Sequence, residues 1–70
     1  MIDVSLKGVR CRAASEILDI DGTIGASTEG TIVYELEGQG GLLVNVCWDD
    51  GTRSLVSSEE IIITDLVTWN

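Results

Sequence analysis

"LLVNVCW", residues 42–48, decides the fold class. Val44, Val46 and Trp48 fall at every second position, with Asn45 and Cys47 between them. Apolar residues at period two mark a strand with one face in a core and the other outside it. Trp48 closes the apolar series, so it is predicted to fill the core rather than to contact a ligand. Both flanks break the strand. Ahead of it, "EGQGG" (37–41) is a glycine-rich turn. Behind it, "DDGT" (49–52) contains Asp50-Gly51, the pair that favours a type I′ hairpin. A strand bounded by two tight turns implies a partner strand on each side.

Those partners are legible. "TIVYELE" (31–37) reads as a strand with Ile32, Tyr34 and Leu36 on one side and Val33 and Glu35 on the other. "RSLVS" (53–57) is short and β-prone, and "IIIT" (61–64) is a β-branched run of the kind found in sheet cores. "GVRCRAA" (8–14) sets Val9, Cys11 and Ala13 against Arg10 and Arg12. "SSEE" (57–60) places serine ahead of two acids, as at the start of a single helical turn. Residues 15–28 form a long polar connection. The expected architecture is therefore all-β: an SH3-like five-stranded small barrel with a long first loop and one short 3-10 turn before the last strand.

The pattern "GTIGASTEGTIVYELEGQGGLLVNVCWDDGTRSLVSSEEIII" (22–63) resembles the SH3-like barrels of the photosystem I reaction-centre subunit IV and the variable chain of ferredoxin–thioredoxin reductase. In those families a G-T-x-G-x-V strand follows a long loop, a hairpin strand ends in an aromatic, and a short acidic turn precedes the last strand. The resemblance spans roughly residues 9–64 and implies the fold. The charge departs from those families: a module that docks acidic ferredoxin offers basic surface, whereas this chain is acidic.

The 70 residues make a single domain, 1–70, with the barrel over about 9–64 and a C-terminal tail at 65–70. A core this small leaves a thin stability margin. Four basic against 12 acidic residues give a net charge of −8. That sign disfavours nucleic acid and anionic membrane and favours a basic protein partner. No signal-peptide pattern opens the chain, and no apolar run approaches the roughly 20 residues that span a bilayer. The expected compartment is the cytoplasm, where Cys11 and Cys47 are thiols.

"LDIDGTI" (18–24) has the look of the nucleophile loop of haloacid-dehalogenase phosphatases. Such enzymes need a buried parallel strand before the first aspartate and an α/β core far longer than this chain. An EF-hand frame fails as well: with Gly22 sixth, the first position is Ile17 and the twelfth Thr28. Asp19, Asp21 and Glu29 remain the weak metal candidates, in a small acidic metal- or ligand-binding alternative that uses the 15–29 loop. The plain reading is a polar turn.

The chain contains no histidine, and no base stands beside either cysteine. Asp49–Asp50 and Glu59–Glu60 are adjacent acids, which on a strand point apart and so do not make a hydrolytic pair. No catalytic residues, no cofactor and no enzymatic activity are expected. The expected function is a non-enzymatic interaction or accessory-subunit module. Asp49, Asp50, Glu59, Glu60 and Trp69 are its candidate partner-binding residues. The tail "DLVTWN" carries Leu66, Val67 and Trp69, which fold back on an open end, cover an edge strand, or pack on a second copy as a homodimer.

Overall fold

A computed structural model describes residues 2–19 and 22–64. The elements are β1 (Ile2–Asp3), β2 (Arg10–Ala13), β3 (Ile17–Asp19), β4 (Gly22–Ile24), β5 (Glu29–Gly38), β6 (Gly41–Trp48), β7 (Arg53–Ser57), a 3-10 turn (Ser58–Glu60) and β8 (Ile61–Ile63). The protein is all-β, and every pairing is antiparallel.

The main sheet runs β7-β6-β5-β2-β8, with β1 beside β5 further along that strand. The path has two end strands, β7 and β8, and no pairing joins them among the described residues. All five expected strands are present in the expected order, with the 3-10 turn before the last. The long first connection is more than a polar turn. It holds a second small sheet, β3–β4, because Ile17 and Ile24 stand opposite each other and are both buried while Leu18 and Thr23 face out.

The core is built by alternation. Cys11 and Ala13 on β2, Val44, Val46 and Trp48 on β6, and Val56 on β7 all turn inward and are nearly inaccessible. The β3–β4 hairpin adds Ile17 and Ile24, and Leu6, Val9 and Ile61 close around the cluster. The run "IIIT" is not a core strand. It forms an end strand in which Ile62 and Ile63 are exposed.

One position makes the central packing work. Gly30 lies directly opposite Trp48 across β5 and β6. A Cβ there would lie 2.7 Å from Val46 Cγ1, 2.9 Å from the Cys47 carbonyl oxygen and 2.9 Å from Trp48 Cε3. The indole therefore rests on a bare backbone, and the carbonyl cannot move without disturbing the ladder.

β5 also departs from simple alternation. The register steps from Ile32 opposite Val46 to Tyr34 opposite Asn45, which leaves Val33 as a bulge. The extra residue inverts the phase. Ile32 is buried as expected, but Tyr34 and Leu36 turn to the outer face, and Glu35, opposite Val44, turns inward at 9% exposure.

The turns follow their chemistry with one difference. After β6, the Gly51 amide donates to the Trp48 carbonyl and the Trp48 amide to that of Thr52. Gly51 has φ +94° and Asp50 does not have a positive φ, so the link is a three-residue loop with glycine in the left-handed region. The type I′ turn, which needs positive φ at both central residues, is not formed. Ser57 caps the 3-10 turn: its Oγ accepts from the Glu59 amide, and Glu60 Oε1 accepts from the Ser57 amide at 2.9 Å.

Overpacking at a site bounded by backbone costs about 1–3 kcal/mol. Gly30→Ala is expected to lose that much in urea unfolding. Gly40→Ala, where nothing lies within 4 Å of the added Cβ, stays within about 0.5 kcal/mol of wild type.

Candidate functional site

Alternation turns Arg10 outward from β2, opposite Thr31 on β5. From there its guanidinium reaches the β6–β7 turn. Arg10 Nη1 donates to Asp49 Oδ1 at 2.8 Å and Nη2 donates to Oδ2 at 2.6 Å, a two-pronged pairing. Nη1 also donates to Thr31 Oγ1 at 2.9 Å, and the Asp49 amide donates to the Glu29 carbonyl. Asp49 is thus a fastener between the turn and β2. Its carboxyl is held below the ordinary value of 3.8 by the Arg10 hydrogen bond, and Arg10 is raised by the same contact.

The other expected partner-binding residues fare differently. Asp50 Oδ1 accepts from the Thr52 amide at 2.9 Å and from Thr52 Oγ1 at 2.6 Å, which stiffens the turn and lowers the Asp50 carboxyl. Glu60 is spent on the cap of the 3-10 turn. Glu59 is exposed. Trp69 lies outside the described residues.

Of the weak metal candidates, Asp19 and Glu29 have separate roles among the described residues. Asp19 Oδ2 accepts from Ser54 Oγ at 2.9 Å, which ties the β3–β4 hairpin to β7. Glu29 stands on β5 opposite Arg12, and Asp21 lies outside the described residues. Among the described residues no group of three histidine, cysteine or acidic side chains could hold a metal ion. A cleft of about 220 Å³ does open between the hairpin and the β6–β7 turn, lined by Asp19, Gly22, Thr23, Ile24, Asp50, Thr52 and Arg53. Ligand pockets run to about 300–1,000 Å³. Both aspartates in this cleft already accept hydroxyl hydrogen bonds.

The two cysteines sit on opposite faces of the sheet. Cys11 is buried inside, where burial pushes its thiol up, and Cys47 alternates to the outer face. They cannot bridge each other within one chain.

The bulge produces a surface that sequence reasoning missed. Tyr34, Asn45 and Leu55 form one row across β5, β6 and β7 on the outer face. Ile2, Leu36, Leu43 and Ser57 form the next. Within this face Asn45 Oδ1 is buried without a hydrogen-bond donor. A strand written as continuous alternation sends Tyr34 and Leu36 inward, so the rows could not be found without knowing that Val33 is extra.

No protein-family model, curated protein or solved structure matches the chain. No helix among the described residues is long and apolar enough to cross a membrane.

A carboxylate whose value is depressed in the fold contributes stability above its unfolded value and loses it as pH falls through the folded one. Asp49→Asn is therefore expected to lower the melting temperature at neutral pH, with the gap from wild type closing below about pH 4. Melting curves at the two pH values check this, and a gap that is independent of pH would contradict the pairing.

Proposed function

We propose that the chain is an SH3-like small barrel, spanning roughly residues 9–64, that serves as a non-enzymatic protein-interaction or accessory module in the cytoplasm and receives a basic protein partner. The strand order β7-β6-β5-β2-β8, a hairpin-bearing first loop and the capped 3-10 turn ahead of β8 support the barrel. The observation that carries the functional reading is the charge of −8 on a domain of 70 residues. Self-repulsion of that size destabilises a small fold, so a role for it lies in what it attracts.

Four of the described acids are engaged in holding the fold. Asp49 fastens a turn, Asp50 stiffens it, Glu60 caps the 3-10 turn, and Asp19 anchors the first-loop hairpin.

Affinity capture with the full tagged chain tests the reading at about 0.1 M and about 1 M salt, between which the screening length falls from about 10 Å to about 3 Å. A basic protein held at low salt and released at high salt is the expected result. Retention of no protein at low salt would contradict it.

A further inference from the structure

β7 is an end strand: one edge pairs with β6, and nothing pairs with the other among the described residues. The turn before it fixes which backbone groups face that open edge. The Trp48 amide donates to the Thr52 carbonyl, so Trp48 and Thr52 face each other through a hydrogen bond. In an antiparallel ladder such pairs alternate with pairs that are not bonded. Ser54 and Val56 therefore bond to β6, opposite Val46 and Val44, while the amides and carbonyls of Arg53, Leu55 and Ser57 point away from it. The Ser57 amide agrees with this phase, because it donates to Glu60 Oε1 and not to β6. The Leu55 amide and carbonyl stand in the middle of the open edge.

β7 has none of the features that keep an edge from pairing. It holds no proline, its register with β6 runs without a bulge, and its inward side chains, Ser54 and Val56, are uncharged. Leu55, at its centre, is 46% exposed. Its two ends are opposite in sign. Arg53 opens the strand, and Glu59 stands two residues beyond Ser57, which closes it. Both are exposed, and neither is in an ion pair among the described residues. Arg53 borders the cleft beside Asp19 and Asp50, whose carboxylates accept from Ser54 and Thr52.

We propose that β7 pairs antiparallel with β7 of a second copy of this chain, about a two-fold axis at Leu55, so that two sheets become one. In that register Leu55 meets Leu55 through reciprocal amide–carbonyl bonds. Each Arg53 amide donates to the other copy's Ser57 carbonyl. The Ser57 amide, already taken by Glu60, is the donor left out. On the outer face Leu55 covers Leu55, and each Arg53 comes beside the other copy's Ser57, next to its Glu59. The layout of charge selects the occupant. A cationic segment would meet Arg53 as well as Glu59, whereas an antiparallel copy meets each with its opposite. The charge of −8 on each copy opposes the approach, so association is weak and held by these local contacts. Such a dimer requires no basic partner and excludes none.

Sedimentation equilibrium of the full chain from about 10 µM to about 1 mM is expected to show a reversible monomer–dimer equilibrium. The Leu55 amide, open in the monomer, is expected to exchange more slowly at the top of that range than at the bottom. Arg53→Glu and Glu59→Arg are each expected to weaken the dimer at least about fivefold, since the two-fold repeats the altered contact. The double variant Arg53→Glu/Glu59→Arg is expected to return to within about twofold of wild type, a coupling that separate losses of folding do not produce. Circular dichroism of all three variants should match wild type. A chain that stays monomeric throughout the range would overturn the proposal. So would single variants that dimerise as wild type does, a double variant no tighter than the singles, or a dimer in which Leu55 exchange is unchanged.

Discussion

The structure depends on a close contact between one ring and one missing side chain. Trp48 is the largest of the fully buried residues, and it lies over β5 at the residue that has no Cβ. Cross-strand packing is the unit of sheet stability, and here the pair is an aromatic ring on bare backbone. Any substituent at Gly30 meets Val46, the Cys47 carbonyl and the indole at once. Because β5 and β6 form the most extensive pairing in the fold, an error there propagates to β2 on one side and β7 on the other. The contact has a cost, since Trp48 Nε1 is buried without an acceptor. The ring is kept for its volume, which no other described residue supplies to the core.

The second constraint is the bulge at Val33. Before it, β5 turns Ile32 inward against Val46. After it, the same strand turns Leu36 outward against Leu43 and carries Glu35 to the inner side. One extra residue thus divides the strand into a half that builds the core and a half that builds a surface. The arginine–aspartate fastener belongs to the first half, where Arg10 stands opposite Thr31. The ladder holds two outer rows in place, Tyr34, Asn45 and Leu55 in one and Ile2, Leu36, Leu43 and Ser57 in the next.

Much of the fold was written plainly. The alternation of Val44, Val46 and Trp48, of Cys11 and Ala13, and the serine cap before the last strand all rest on local periodicity or capping, which act within a few residues. The hairpin in the first loop was hidden because Ile17 and Ile24 are seven positions apart, with two aspartates and a glycine among the residues between them. Their partnership appears only when the chain doubles back. The bulge was hidden for the same kind of reason, since register is fixed by the partner strand and not by the strand itself. Among the candidate site residues, Asp49, Asp50 and Glu60 were recognisable as surface acids. Their engagement with Arg10, Thr52 and the Ser57 amide was not, because the Arg10 contact crosses 39 positions and the others depend on turn geometry.

A fold of this size has little stability to spare, so its centre should be its most persistent part. NMR of the labelled full chain examines that directly. A nuclear Overhauser contact between Trp48 Hε3 and the Gly30 α-protons, together with the slowest amide exchange in the chain along β5 and β6, is the expected result. An indole with no contact to Gly30, or exchange along β6 as fast as in the β3–β4 hairpin, would contradict the account.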